Sequence, residues 1–433
     1  MLHRIPIEQF GPRGAAMGHA VETCIHCGFC LPTCPTYEVL GDEADSPRGR
    51  IILMKEVLEG KLSAADAAPH IDRCLGCVAC QTHCPSGVEY GNLLSSYRSL
   101  EPSKSVPSRS FAMRLRRQLA SWTLPYPKRF SLAMRLGKIG RKLAFITPKA
   151  LHPMLELVPD TLPPAESTPA VSPAVGTERG RVMLHIGCAA QVLRPDITSA
   201  TIRVLNQNGI AVLIPQAQVC CGALHWHIGD SKSAMKMAGK NLSAFGDGDE
   251  PIITTAAGCG SGMHEYPLIM AGDKRTDSAN RFASRVVDIS VYLDRIGIVP
   301  PPAVKTLRIA YHDACHLAHA QKVRKPPRSL LRLIPGVELV DLQESDLCCG
   351  SAGTYNIDQP EIAAQLGQRK VANVVASKCD LVALGNIGCQ IQIEQHLAKS
   401  GHKIPVLHTI QILDQAYRGE LLGKQMTSEQ HPM

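Results

Sequence analysis

The feature that most constrains this chain is a cysteine motif, CxxCxxCxxxCP, that occurs twice in its first hundred residues. The cysteines of its two copies are Cys24, Cys27, Cys30 and Cys34, and Cys74, Cys77, Cys80 and Cys84. Thiolates at this spacing bind three irons of one cubane cluster, and the fourth cysteine, followed by proline, ligates the other cluster in two-cluster ferredoxins. The motif therefore predicts two 4Fe–4S clusters with exchanged ligands. One would be bound by Cys24, Cys27, Cys30 and Cys84, and the other by Cys34, Cys74, Cys77 and Cys80.

Zinc is the alternative occupant of such motifs, because pairs of CxxC also build tetrahedral sites from four thiolates. A zinc site would leave the third cysteine and the Cys-Pro step of each motif without a role, which favours iron and sulfide. The stretch between the motifs has helical periodicity over 49–60. We therefore expect residues 1–100 to form a mainly helical two-cluster ferredoxin-type domain.

The positive charge of the chain is concentrated in one segment. The formal net charge is +8, yet residues 104–149 contain twelve Lys or Arg and no acidic residue. This distribution argues against general nucleic-acid binding and predicts one local basic surface. A cationic amphipathic segment can lie on an anionic membrane or dock on an acidic partner, and both uses stay open. Together with the Pro/Ala-rich stretch 159–176, for which we expect an extended tether, it makes up a connecting region over 101–180.

The sequence has the character of an intracellular protein. We identify neither a secretory signal at its start nor an apolar window long enough to span a bilayer. Its 17 cysteines are therefore not expected to form a secreted disulfide scaffold. We expect a cytoplasmic location, or peripheral attachment to the cytoplasmic face of the inner membrane.

The second half of the chain contains an internal repeat marked by cysteines. The landmarks Cys188, Cys220-Cys221-Gly222 and Cys259 recur 127, 128 and 130 positions later as Cys315, Cys348-Cys349-Gly350 and Cys389. Near-constant offsets predict two copies of one domain, over 181–299 and 300–433. Short apolar runs, such as 182–186 in the first copy and 307–311 in the second, alternate with helical stretches such as 196–208, which predicts βαβ units around a mostly parallel sheet. The landmark cysteines follow predicted strands, where open α/β sheets gather their ligands.

Each copy resembles the cysteine-rich CCG domain of heterodisulfide reductase subunits and of the iron–sulfur subunits of flavin-linked dehydrogenases. The whole order resembles the family of glycolate oxidase iron–sulfur subunits, through segments such as CIHCGFCLPTCPTYEVLGDEADSPRGR (24–50) and LCCGSAGTYN (347–356). The family pattern ends in CxxC, whereas Gly262 and Gln392 stand at the last position here. Four thiols per copy could bind a 4Fe–4S cluster or zinc, or form a vestigial or redox-thiol arrangement. These candidate metal ligands are Cys188, Cys220, Cys221, Cys259, Cys315, Cys348, Cys349 and Cys389.

Histidines flank the CCG cysteines, and imidazoles there could tune a cluster, bind a metal or pass protons. They are His225, His227, His312, His316 and His319. Cys379 has no counterpart in the first copy, and we expect it to be a core thiol.

The sequence offers electron carriers but no motif for oxidising an organic substrate, since nucleotide-binding and hydrolase patterns are not found. We therefore expect no catalytic residues in this chain. The helical N-terminal domain and the two α/β copies together predict an α+β multidomain fold. The resemblance implies an electron-transfer subunit of a glycolate oxidase that converts glycolate to glyoxylate, with FAD on partner subunits and a quinone or another acceptor. Alternatives are the iron–sulfur subunit of an anaerobic glycerol-3-phosphate or lactate dehydrogenase, and a heterodisulfide-reductase-like subunit with a catalytic CCG cluster. A redox-sensing or scaffold protein is a further alternative.

Overall fold

The N-terminal hundred residues are helical, as the sequence predicted. The computed structural model describes residues 1–100, 111–143, 145 and 147–421. Its first helices are α1 (Gly14–Thr23), α2 (Pro35–Leu40), α3 (Pro47–Leu58), α4 (Ala64–Asp72), α5 (Ala79–Thr82) and α6 (Tyr90–Ser99). Helix α3, predicted over 49–60, begins where the Ser46 side chain accepts a hydrogen bond from the Gly49 N–H, with Pro47 at the first helical position. Met17, Met54 and Leu93 are fully buried between these helices.

In the part of the connecting region that the structure describes, three α-helices precede one short strand. These are α7 (Phe111–Thr123), α8 (Pro127–Lys142), α9 (His152–Glu156) and β1 (Val171–Ser172). Strand β1 pairs antiparallel with Val212 and Leu213 of the first CCG copy. Within the stretch 159–176, for which we expected an extended tether, Val171 and Ser172 thus extend a sheet as a paired edge strand. Two basic residues of the segment, Lys104 and Arg109, lie outside the described residues.

The first CCG copy alternates strands and helices. Its strands are β2 (Gly180–Leu184), β3 (Ile210–Leu213), β4 (Ile252–Thr254) and β5 (Val286–Asp288). Its helices are α10 (Ala190–Leu193), α11 (Asp196–Gln207), α12 (Ala223–His227), α13 (Ser231–Phe245), α14 (Ala257–His264), α15 (Tyr266–Ile269), α16 (Thr276–Arg285) and α17 (Ile289–Ile296).

The second copy follows the same plan. Its strands are β6 (Leu307–Tyr311), β7 (Val337–Val340), β8 (Leu381–Leu384) and β9 (Val406–His408). A π-helical turn spans His316–Ala320. The helices of this copy are α18 (Lys325–Arg332), α19 (Tyr355–Asp358), α20 (Pro360–Ala376), α21 (Ile387–Lys399) and α22 (Thr409–Tyr417).

The sheets of the two copies have the same topology. Their strand orders are β1-β3-β2-β4-β5 and β7-β6-β8-β9, and every pair except β1–β3 is parallel. Removing the added edge strand leaves β3-β2-β4-β5, the exact counterpart of the second sheet. The predicted repeat and parallel sheets are thus confirmed, and the short fourth strands β5 and β9 are additions that the sequence did not predict.

The copies pack through reciprocal helix pairs, α11 with α22 and α17 with α18. Arg203 makes two 2.8 Å hydrogen bonds to the Asp414 carboxylate across this interface. The His408 ring also lies 2.7 Å from the Thr255 carbonyl oxygen. Helix α11 corresponds to α18 and α17 corresponds to α22, so the two pairs are equivalent to each other and the arrangement is that of a pseudo-two-fold.

The helical domain and the basic segment contact the two copies through half-buried arginines. Arg98 donates to the His227 carbonyl at 3.1 Å and to the Cys74 carbonyl at 2.8 Å. Arg117 of α7 pairs with Asp358 at 2.7 Å, so it fastens the basic segment to the second copy. Among the described helices, none combines the length and apolar character needed to cross a bilayer.

Candidate metal centres

The first group of motif cysteines gathers near the surface. Cys24, Cys27, Cys30 and Cys84 line one small cavity, which brings a cysteine of the second motif beside three from the first. Cys27 is exposed, while Cys30 and Cys84 are half-buried. Burial, more than neighbouring thiols, raises the pKa of Cys30 to about 11. These positions agree with the exchanged ligand set, although Cys80 lines the same cavity and the assignment stays a prediction.

The second group lies deeper in the domain. Cys34, Cys74, Cys77 and Cys80 are all buried, with Cys34 at the start of α2 and Cys80 in α5. Burial and then repulsion from other thiols raise the pKa of Cys77 and Cys80 well above the usual value, and Cys34 contributes to both shifts. The Cys34 thiol of the first motif therefore lies close to cysteines of the second, again as exchanged ligands require.

Buried cations surround this deeper group. Arg50 is buried, with its guanidinium 3.8 Å from Cys34 Sγ and 3.1 Å from an Asp45 carboxylate oxygen. Burial alone would raise the pKa of Cys74, but Arg50 and Arg98 lower it overall. A cubane with four thiolates is anionic, so fixed positive charge in a low-dielectric interior offsets the cost of burying it.

The four thiols of the first CCG copy meet at the carboxyl ends of its strands. Cys188 follows β2, the Cys220-Cys221 pair follows β3, and Cys259 lies in the first turn of α14 after β4. Cys188 Sγ lies 3.5 Å from Cys220 Sγ. Hydrogen bonds from Cys188 and Cys221 hold the pKa of Cys220 well below its usual value. The copy thus presents four sulfur donors at one end of its sheet, a donor set suited to a metal.

The second copy repeats this arrangement and adds an imidazole. Cys315 Sγ lies 4.0 Å from Cys348 Sγ, and the Asn386 amide donates to Cys389 Sγ at 3.3 Å. A ring nitrogen of His312 and the sulfurs of Cys349 and Cys389 lie within 4.8 Å of one another. These residues form a compact group of metal-binding atoms.

The positions at which the family pattern has a fifth cysteine are closed in this chain. A Cβ atom built on Gly262 would lie 2.4 Å from the Cβ of Ala223, so α14 packs there without room for a side chain. Gln392 is buried, and its carbonyl oxygen accepts a hydrogen bond from Asn356 at 3.1 Å. Neither position supplies a thiol, as the sequence indicated, and each has a structural role instead.

A single cavity of about 840 Å³ joins the two CCG groups. It is lined by Cys188, Cys220, Cys221, Cys259, Cys315, Cys348, Cys349 and Cys389, and also by Cys74 of the helical domain. The opposite wall is apolar and comes from the connecting region, through side chains such as Leu119, Phe130 and Leu155. Sequence reasoning missed this wall. The spacing of small and apolar residues in α8 (Ala133, Gly137, Gly140) was the available signal, but nothing local says what such a face covers.

The deeper ferredoxin group touches the second CCG copy directly. Leu75 and Cys77 pack in one apolar cluster with Cys315, Cys348 and Tyr355. After burial, repulsion from Cys315 is the largest contribution to the raised pKa of Cys77. The thiol groups therefore form a continuous series, from exposed Cys27 through the buried group to the cavity between the copies.

Most of the flanking histidines already have protein partners. His316 bonds to the Ser261 hydroxyl at 2.5 Å, and His319 to the Thr82 hydroxyl at 3.0 Å. His225 pairs with Asp230 at 3.0 Å and His227 with Glu265 at 3.3 Å. These rings position neighbouring segments. Cys379 is a buried thiol beside the Val374 carbonyl, as expected for the core.

Comparison with known families agrees with this organisation. A 4Fe–4S dicluster domain matches residues 20–88, and a cysteine-rich domain matches residues 182–264 and again 309–394. The prediction of two 4Fe–4S clusters is thereby confirmed at the level of the domain, as is the mixed fold class.

Relatives of known name span most of the chain. The glycolate oxidase iron–sulfur subunit of Escherichia coli (strain K12) is 36% identical over 406 residues, which are 92% of this chain and 95% of that protein. A probable glycolate oxidase iron–sulfur subunit of Bacillus subtilis (strain 168) is 33% identical over 91% of this chain and 93% of its own length. Lactate utilization protein A of Shouchella clausii is 29% identical over 54% of this chain and 98% of its own length.

Proposed function

Because the chain belongs to the family of glycolate oxidase iron–sulfur subunits, we propose that it is the electron-transfer subunit of a flavin-dependent complex that oxidises glycolate to glyoxylate. The observation that carries the proposal is the continuous series of thiol groups from exposed Cys27 to the internal cavity. Iron–sulfur clusters bound there would accept electrons one at a time from a two-electron flavin and pass them to the next carrier. The FAD belongs to partner subunits, and this chain contributes no catalytic residue.

The ligand sets follow from the geometry as proposals. Cys24, Cys27, Cys30 and Cys84 would hold the outer cluster, and Cys34, Cys74, Cys77 and Cys80 the inner one. The CCG thiols would hold further metal, in the form of clusters or zinc. Arg50 and Arg98 then stabilise the anionic inner site and orient its loop.

The flavin-bearing partner is proposed to dock around the outer group. Ile25 and Phe29, which flank Cys27 in the first motif, are each 66% exposed. Large apolar side chains at the rim of an exposed electron-transfer site are typical of a surface that a partner protein covers. Docking there would shorten the path from the flavin to the outer cluster.

The proposed acceptor is a quinone, and the proposed location is the cytoplasmic face of a membrane. Leu132, Leu136 and Ile139 of α8 are each 58% exposed, and Leu143 just beyond it is 41% exposed. Their spacing places them on one helical face. Cations flank this face: Lys128, Arg129, Arg135 and Lys142. Such a helix suits the interface of an anionic bilayer, where each cation contributes roughly 1 kcal/mol.

The cavity supports the same proposal. Leu132 and Leu136 line it as well as being exposed, so the apolar face of α8 continues inward towards the CCG cysteines. Oxidation of glycolate to glyoxylate releases two electrons and two protons, the number that converts a quinone to a quinol. The overall reaction therefore balances without another reactant.

Reconstitution with the flavin subunits tests the function. The chain is produced anaerobically alone, with the partners, and with the partners plus quinone, and each preparation is offered glycolate, lactate or glycerol 3-phosphate. We expect quinone reduction only in the complete mixture and fastest with glycolate. Glycolate oxidation by the flavin-free chain alone would contradict the electron-transfer role, and faster lactate turnover would contradict the substrate.

A further inference from the structure

We propose that His312 is a metal ligand, so that the second CCG copy binds its metal through imidazole and thiolates while the first copy offers thiolates alone. The inference deepens the proposed function and rests on its CCG metal sites. It assigns the two copies unlike centres, which the shared cysteine pattern does not suggest.

His312 is a buried side chain whose ring has no nitrogen or oxygen hydrogen-bond partner among the described residues. It ends the β6 region, where its backbone N–H donates to the Ala383 carbonyl at 2.8 Å. The residue is 0% exposed, and the polar group that its ring approaches is the Cys349 thiol. Leaving a polar group buried and unpaired is costly, so native proteins rarely do so without a metal, a ligand or water at that place. The unpaired ring therefore indicates a missing partner.

The atoms around the ring indicate that this partner is a metal. A ring nitrogen lies within 4.8 Å of the sulfurs of Cys349 and Cys389. Ligand atoms about 2.0–2.3 Å from one tetrahedral ion are separated by roughly 3.3–3.8 Å, so small rotations of these side chains would bring them to bonding distance. Cys315 and Cys348, whose sulfurs are 4.0 Å apart, lie beside them and complete the donor set.

The first copy provides a control within the same chain. His185 precedes Cys188 by three residues, as His312 precedes Cys315, and it is also buried. Its Nε2 lies 3.2 Å from the Val219 carbonyl oxygen, so this ring has the protein partner that His312 lacks. Among the described residues, the His/Cys group compact enough for a metal is found only in the second copy. The unpaired imidazole beside two thiols is therefore a feature of the second copy and is not shared by the first.

An imidazole ligand would change what the second centre can do. Gln392 occupies the position at which the family pattern has a fifth cysteine, and His312 supplies an additional donor from another direction. Neutral imidazole carries one negative charge fewer than thiolate, and histidine ligation raises the potential of iron–sulfur centres. Zinc accepts the same donors. In both cases the metal would be bound by nitrogen and sulfur ligands, and the experiment distinguishes an iron–sulfur cluster from zinc.

The test compares wild type with His312→Ala, His312→Cys and the matched His185→Ala, all as full-length anaerobic protein. Metal analysis counts the bound iron and zinc. Pulsed EPR on protein with ¹⁵N-labelled histidine detects a nitrogen ligand of a paramagnetic cluster. X-ray absorption at the zinc edge detects a nitrogen ligand at about 2.0–2.1 Å from zinc. We expect one bound nitrogen in wild type and His185→Ala. His312→Ala should lose that signal, while the four cysteines of the copy remain as thiolate ligands for its metal. His312→Cys should keep the metal without the nitrogen signal.

Three results would overturn the proposal. These are a nitrogen signal that persists in His312→Ala, a wild-type second-copy centre without bound nitrogen, and a second copy that binds no metal. None of them concerns the N-terminal clusters. Their reduction by glycolate through the flavin subunits is measured separately, so failure of this inference is distinguishable from failure of the proposed function.

Discussion

Arg50 sets the charge around the inner cysteine group, so its removal should change the reduction potential of the cluster proposed there. The Arg50 guanidinium lies 3.8 Å from Cys34 Sγ. Asp45, its carboxylate partner, also pairs with Arg73 at 2.8 Å. Arg50→Gln therefore removes a positive charge from beside the thiols without leaving Asp45 unpaired. A reduced cluster carries one more negative charge, so the loss of the cation should lower the potential.

Coulomb's law gives the size of this effect. At an effective dielectric constant of about 20, a unit charge roughly 5–8 Å from the added electron contributes about 2–3 kcal/mol. For a one-electron couple, each 1.4 kcal/mol corresponds to about 59 mV. We therefore expect Arg50→Gln to lower the potential of the inner cluster by about 100 mV.

An EPR-monitored potentiometric titration measures both N-terminal clusters in one sample. Arg50→Lys retains the charge and controls for the loss of guanidinium hydrogen bonds. Arg48→Gln is the matched control at the outer site, where the side chain is 31% exposed and pairs with Glu43 at 2.6 Å. Solvent screens that charge, so its removal should have a smaller effect. An Arg50→Gln potential that rises, or that shifts no more than that of Arg48→Gln, would refute the electrostatic reasoning.

Three further predictions concern the ligands, the cavity and the membrane face. Cys34→Ser should abolish the inner cluster, built mainly on the second motif, and spare the outer one; iron analysis and EPR would show the reverse if the ligands are not exchanged. Ala133→Phe fills the apolar cavity and should slow the reduction of a long-chain quinone roughly tenfold. Ser131→Phe, which lies outside the cavity lining, should leave that rate unchanged, and equal rates in the two variants would exclude the cavity as the quinone site. Ile139→Gln with Leu143→Gln should weaken cosedimentation with phosphatidylglycerol vesicles at least about tenfold, and unchanged binding would exclude this face.

Local patterns explain which parts of the fold could be predicted. Helix α11 and strand β2 lie within a few residues of their predicted positions, because apolar periodicity is a property of a short segment. The CCG repeat could be predicted because the spacing of its cysteines is nearly the same in the two copies. Strand β5, Val286–Asp288, was missed since three residues carry too little periodicity to distinguish a strand from the end of a helix.

The remaining features depend on contacts between distant residues. The partner of Arg117 is Asp358, 241 positions away, and no spacing rule predicts this pair. The apolar wall of the cavity comes from a segment whose composition indicated only a basic surface. The contrast between His185 and His312 likewise appears only when burial and hydrogen bonding are compared in three dimensions.

Reduction of this chain's clusters by glycolate is the most direct test of the electron-transfer role. The chain and its flavin-bearing partners are mixed anaerobically without a quinone, glycolate is added, and rapid-freeze EPR follows the N-terminal clusters while absorbance follows the flavin. We expect the flavin and then the cluster signals of this chain to become reduced, and we expect no change when the partners are omitted. Full reduction of the flavin by glycolate while the clusters of this chain stay oxidised would contradict the account.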